Sequence, residues 1–426
     1  MPTRRCLHRA LSASFLACLF VGGFASAQTC QFEAIGPVTD FPQNASISYD
    51  GKRVAFTSER DLTGKNPDEI WQAFTFTPGS GVDQLTSFTE SGAVAAAVSY
   101  DGSVVYLVTD LDPTGGTPDG NRQLYSIELE TGTVTQLTSG PGLLFISRRT
   151  AEDGRVLLTR SGAWVIFDPS DGTSTPLLAF DAGLRDAAPD FSLFALVSAE
   201  YFVPGSNADG SHEIFLFTPD TGYEQITDVS AATNSLSFDD VEVSADGDRI
   251  VFQSNLNLTG DNPELLREAF LWRRGGGLTQ LTASTSLTAI DSLAANDDVT
   301  DPILLDHDFL PAPGAFDYGL YFLDSETREE TLLFGDHSVF PFLSGDGTSF
   351  VFSSAEPLFF DPDLRSYFFW ARCADDLTLA EIPTLDSISL ALLGLALGLA
   401  ALTVIARRRA ARRSANHLRA IAEHRI

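Results

Sequence analysis

A phrase of about fifty residues keeps returning along this chain, and it constrains the fold more than any other feature. Its first copy reads Ser48-Tyr49-Asp50-Gly51, Val54-Ala55-Phe56, Trp71 to Phe76, and Gln84-Leu85-Thr86. The same order returns as Ser99-Tyr100-Asp101-Gly102, Val104-Val105-Tyr106, Leu124-Tyr125 and Gln136-Leu137-Thr138. A third clear copy runs from Ser244-Ala245-Asp246-Gly247 through Ile250-Val251-Phe252 and Ala269 to Trp272, ending on Gln280-Leu281-Thr282. Each copy holds four short β-prone runs; in the first they are Ala45 to Tyr49, Arg53 to Ser58, Ile70 to Thr77 and Val82 to Thr86. Asp-Gly between alternating apolar runs signals a tight hairpin, because Gly accepts the positive φ the turn needs. Four antiparallel strands repeated radially predict an all-β fold, a β-propeller in which each blade buries its faces against its neighbours.

Counting the Asp turns gives Asp50, Asp101, Asp153, Asp190, Asp246, the Asp297-Asp298 pair and Asp346. The expectation is therefore seven blades, with six or eight as the alternatives. The fourth turn carries Pro189-Asp190-Phe191 instead of Asp-Gly, and the sixth copy, around Leu293 to Leu333, is the faintest. The seventh copy lacks a fourth strand, whereas an unassigned β-prone run, Cys30 to Ile35, precedes the first blade. Pairing the two would remove two exposed sheet edges and set Cys30 beside Cys373. These are the only cysteines outside the leader, so a Cys30–Cys373 disulfide is expected if the chain is exported.

Both ends read as membrane elements. Residues 1–27 form a secretory signal: Arg4, Arg5 and Arg9, an apolar stretch from Leu11 to Phe24, then Ala25-Ser26-Ala27. The propeller is expected over 28–376, with a linker at 377–387. Ile388 to Ala406 is uncharged and long enough for a transmembrane helix, and a basic tail, 407–426, would stay in the cytoplasm. The body is thus expected outside the inner membrane, in the periplasm or at the cell surface.

Two resemblances follow from these residues. The Ser-x-Asp-Gly, aromatic strand, Gln-Leu-Thr series over 45–372 resembles the TolB-type propeller repeat, which implies a periplasmic or surface protein that binds other proteins. Ile382-Pro383-Thr384-Leu385, the apolar helix and Arg407-Arg408-Arg409 together resemble the IPTL-CTERM sorting signal. That resemblance implies recognition by an exosortase-like membrane protease and a bacterial envelope location.

Residues 28–381 carry 17 basic against 55 acidic residues, a net charge of −38. Such a body repels phosphate backbones, so nucleic acid is excluded as a partner. Cations or basic faces are favoured. The loops between second and third strands supply candidate Ca²⁺ oxygens: Asp61, Asp68, Asp110, Asp112, Asp119, Asn207, Asp209, Asn257 and Asp261. The competing explanation is that turns require these residue types anyway. Of the body's histidines, His307 lies between Asp306 and Asp308 and reads as a solvated loop residue. No Gly-x-Ser-x-Gly elbow is present. The sequence therefore favours a non-enzymatic module binding an envelope protein or glycan, over a hydrolase or lyase acting on extracellular polysaccharide. Ionisable groups converging on one channel mouth would mark the enzyme, and charges scattered on a broad rim the binder.

Overall fold

The computed structural model describes residues 30–373, apart from 39–44, 93, 115–119, 180–182, 205–206, 231–237, 286–287, 302, 313–314, 336–337 and 355–365. The leader, the sorting tetrapeptide, the apolar stretch and the arginine cluster lie outside the described residues, as does Asp119.

Seven four-stranded antiparallel sheets follow one another around a ring. Six are built from consecutive strands, beginning with Ser46–Ile47 (β2), Val54–Ser58 (β3), Gln72–Thr77 (β4) and Gly81–Gln84 (β5). The seventh joins Ser338–Leu343 (β26), Ser349–Ser354 (β27) and Ser366–Cys373 (β28) to the N-terminal strand Cys30–Val38 (β1). In that pairing Cys30 stands opposite Cys373, Gln31 opposite Arg372 and Phe32 opposite Ala371. The expected disulfide is present, with Cα atoms 4.1 Å apart across 343 residues of chain.

The repeated phrase has a physical reason at each end. In the Asp turns, Ser48, Ser99, Ser244 and Ser344 donate to the carboxylate two residues on, at 2.6–2.9 Å. The same hydroxyls accept the amide five residues on, closing the hairpin from inside. At the other end, the threonine of Gln-Leu-Thr staples the fourth strand to the start of the third. Thr86 Oγ1 accepts the Ala73 amide at 2.9 Å and donates to buried Gln72 at 2.7 Å. Thr138, Thr227 and Thr282 repeat this with Gln123, Glu213 and Glu268.

All seven turns close with one backbone bond, donated by Gly51, Gly102, Gly154, Phe191, Gly247, Val299 and Gly347 to the carbonyl three residues earlier. Each donor has positive φ, including Phe191 at 54° and Val299 at 47°. Left-handed backbone costs about 1–3 kcal/mol in a bulky residue. Both side chains are buried in the core, and full burial of such a group contributes about 1.5–3 kcal/mol in return. That exchange explains why the fourth and sixth blades lack the Asp-Gly signature while keeping its geometry.

Neighbouring turns are also tied to each other. Asp346 N donates to Tyr49 O, Tyr49 N to Tyr100 O, Glu152 N to Pro189 O, Ala245 N to Asp297 O, and Asp297 N to Gly345 O. Between the last blade and the first, Trp370 Nε1 donates to Gly51 O at 2.8 Å and Phe368 packs edge-on against Phe56. A methyl group on Gly51 would collide with Ser349 of the seventh blade, at a φ of +68°. Gly51→Ala is therefore expected to cost about 2–4 kcal/mol. Gly79→Ala, at a similar φ with open space around it, is expected to cost about 1 kcal/mol. Equal denaturation midpoints for the two variants would contradict this account of the seam.

Candidate functional site

Each blade turns its first strand toward the ring centre, so the side chains there come from residues far apart in sequence. A cavity of about 140 Å³ lies where all seven blades meet, at the mouth formed by the Asp turns. The first strands of blades three to seven are irregular near this level. Register shifts fall between Ile146 and Thr150, Leu184 and Asp186, Asp239 and Glu242, Ile290 and Ser292, and Val339 and Phe342. A bulge breaks strict alternation and re-aims side chains. Here it turns the neighbours Arg148 and Arg149 into one cavity, and likewise Arg185 and Asp186.

Arg149 is the hub. Its Nε lies 2.5 Å from Asp186 Oδ1, its Nη2 donates to Glu242 Oε2 at 2.9 Å, and its Nη1 donates to Asp297 Oδ1. One guanidinium from the third blade thus bonds carboxylates from the fourth, fifth and sixth. Asp186 also accepts the Val243 amide at 2.9 Å. The Arg149 side chain is 27% exposed, yet it is surrounded by protein, so its exposure is to the water of the channel. The three carboxylates hold its pKa well above the ordinary value against the burial that opposes charge.

Around the hub the electrostatics divide. Burial pushes the Glu242 carboxyl well above the usual range; the Asp186 charge adds to this and Arg149 opposes it. Asp240 keeps exposed surface but is crowded by protein, which raises it to about 6, with the Leu293 amide pulling the other way. Burial lowers the Arg148 pKa, while nearby Glu242, Asp240 and Asp186 favour its charged form. Its guanidinium lies over the Phe342 ring, 4.2 Å from the centroid. At the rim Tyr49 stacks on Tyr100 with centroids 4.6 Å apart, and burial and the Asp297 charge raise the Tyr100 phenol.

A raised carboxyl binds more protons folded than unfolded, so its contribution falls as pH rises from its unfolded pKa to its folded one. Asp240 makes stability decline between about pH 4 and 6. The turn carboxylates Asp50, Asp101 and Asp246 are lowered and act oppositely, losing their contribution as pH falls below the ordinary carboxylate range. A melting series across pH should therefore show a mildly acidic maximum. Asp240→Asn should flatten the decline above it, and an unchanged slope would refute the assignment to this residue.

The Ca²⁺ candidates lie elsewhere. First-to-second turns open on the cavity's face, and antiparallel order puts every second-to-third loop on the opposite face. The described candidates share one rim, and several of them close their own loops. Asp61 accepts the Asn66 amide at 2.8 Å, and Asn257 the Asn262 amide at 2.9 Å. Asp112 caps Thr114, and Asp209 caps Ser211. Buried Asn66, Asn207 and Asn262 each donate to two carbonyls across the loop, which accounts for the loops' resemblance to one another. Asp68 and Asp261 are exposed, Asp110 sits at the start of its loop, and among the described residues no three acidic, His or Cys side chains form a metal-holding group. Melts in Ca²⁺ and in chelator are expected to coincide; a rise in midpoint with Ca²⁺ would establish the metal assignment.

His307 corrects its reading as a solvated loop residue. It is a buried strand residue in Ile303–Ala312 of the sixth blade, with Nε2 3.1 Å from Glu330 and its ring edge-on to Tyr321. The hub residues were missed because Asp186 and Glu242 stand in no motif and Asp297 served only as a turn landmark. The available signal was Arg148-Arg149, an adjacent basic pair in an inner strand of a body so poor in basic residues.

No protein-family model matches this sequence, and no curated protein does. Solved structures show similarity at low identity. An oligogalacturonate lyase from Vibrio parahaemolyticus is 14% identical, with a TM-score of 0.45, covering 76% of this chain and 77% of that one. A chain of a mitotic checkpoint complex is 14% identical, with a TM-score of 0.48 and coverage of 87% and 99%. TolB from Acinetobacter baumannii is 15% identical, with a TM-score of 0.37 and coverage of 77% and 65%. At these values nothing about partner, substrate or activity follows from them.

Proposed function

We propose that this chain is an exported, surface-sorted β-propeller that binds an envelope protein or glycan through the Asp-turn mouth of its channel, without catalysis. The observation that carries this reading is the Arg149 hub. Ionisable groups do converge at one mouth, the geometry attached above to an enzyme, but Asp186, Glu242 and Asp297 are all bonded to one guanidinium. Carboxylates held in this way fix the shape of a recess and are poorly placed to accept a substrate proton. The Cys30–Cys373 bond supports export, because such bonds persist in oxidising compartments. The tetrapeptide Ile382 to Leu385 and the arginine cluster Arg407 to Arg409 support sorting by an exosortase-like protease, with the body in the periplasm or on the surface.

The test is affinity capture from intact envelope with the wild type and with Tyr49→Ala/Tyr100→Ala, which strips the rim of the mouth. A partner retained by the first and lost by the second supports the reading; equal retention moves the docking surface elsewhere. A second reading, a polysaccharide hydrolase or lyase, is favoured by the raised carboxyl of Glu242 in the lining of the mouth, since a perturbed carboxyl in a cleft suits acid–base chemistry. Cleavage of envelope polysaccharide that is lost in Glu242→Gln would establish it.

A further inference from the structure

We propose that the channel mouth takes a small carboxylate-bearing ligand, with the carboxylate seated on Arg148 and Arg185. This rests on the mouth being the docking surface and adds the ligand's chemical class. Of the three arginines lining the cavity, Arg149 is already engaged by three carboxylates. Arg148 and Arg185 stand on the inner strands of adjacent blades, both exposed to the lumen, and neither makes a salt bridge among the described residues.

The cation is also positioned. The Arg148 guanidinium carbon lies over the Phe342 ring, 4.2 Å from its centroid, and the guanidinium's fork of N–H donors matches a carboxylate. The neighbouring bulges set Arg148 and Arg185 at the same mouth as the hub. Charge then selects among anions. Asp186 and Asp297 border the cavity, and a group with two charges on one centre, such as hydrogen phosphate, would meet about twice the repulsion of a single seated carboxylate whose second charge, as in succinate, stands away from the seat. A cavity of about 140 Å³ limits the seated part of the ligand to a small acid or the acidic end of a longer chain.

The experiment is calorimetric titration of the full-length protein with succinate, dimethyl succinate and inorganic phosphate at one fixed ionic strength. Succinate is expected to bind, the neutral ester to bind at least tenfold more weakly, and phosphate more weakly than succinate. Arg148→Gln and Arg185→Gln should each weaken succinate at least tenfold, and Arg148→Lys should recover only part, because an ammonium lacks the planar fork. Equal binding of acid and ester, tighter binding of phosphate, or variants that bind succinate as well as the wild type would each overturn the proposal. The ester comparison needs no variant, so a misfolded substitution cannot mask the answer. Failure of succinate with envelope capture intact would remove the ligand class alone; failure of both would remove the mouth as docking surface.

Discussion

Arg149→Met is expected to lower the unfolding free energy by about 2–4 kcal/mol, although it deletes one residue of a solvated channel and leaves every β ladder intact. The cost arises from what remains. Without the guanidinium, Asp186, Glu242 and Asp297 face one another at a level where Asp186 and Asp297 are buried and Glu242 is only a quarter exposed. Breaking a buried pair by removing one partner typically costs about 3–5 kcal/mol, and channel water reduces that here. Arg149→Lys keeps the charge but cannot present donors in three directions, so it should recover less than half. The variant should also have a distinct pH profile. Carboxylates without their cation have raised folded pKa values, so Arg149→Met should regain stability as pH falls, more steeply than the wild type. Chemical denaturation at neutral and mildly acidic pH checks both points. A loss below about 0.5 kcal/mol at neutral pH would show that the hub contributes nothing to holding blades three to six.

Cys30→Ser/Cys373→Ser is expected to cost about 3–5 kcal/mol, near the top of the range for disulfides. The bond closes 343 residues, and the entropy removed from the unfolded chain grows with loop length, though slowly. The native effect is local. β1 is an outer strand, held by its pairing with β28 and by Phe32 packing against Phe350 and Phe352. Released from its covalent tie, Cys30–Val38 should exchange its amides first and become the first site of proteolysis, before the other blades open. Cys30→Ser alone should match the double variant, since one bond is lost in either case. Identical melts with and without reductant would refute the closure's covalent role.

The ring and its closing strand were legible because they rest on local chemistry. Gly51, Gly102 and Gly247 take the positive φ of their turns without strain, and Thr86, Thr138 and Thr282 each needed a strand start to staple. Even the irregular turns at Phe191 and Val299 could be placed by counting, although their backbone conformation could not. The second-to-third loops stay ambiguous for the same local reason. Asn66, Asn207 and Asn262 are there to close those loops, and a run of Asp, Asn and Gly looks alike whether it holds an ion or itself.

The sequence alone determined that four-stranded units would repeat, narrowed their number to seven with six or eight as alternatives, and set Cys30 beside Cys373, because strand periodicity, turn chemistry and an unpaired edge are carried by neighbouring residues. Only the tertiary structure decided that Arg149 would join Asp186, Glu242 and Asp297, residues up to 148 positions away and set in strands with no shared motif. Their meeting depends on seven inner strands reaching one axis, and on bulges that break the alternation by which a strand's facing residues are otherwise read.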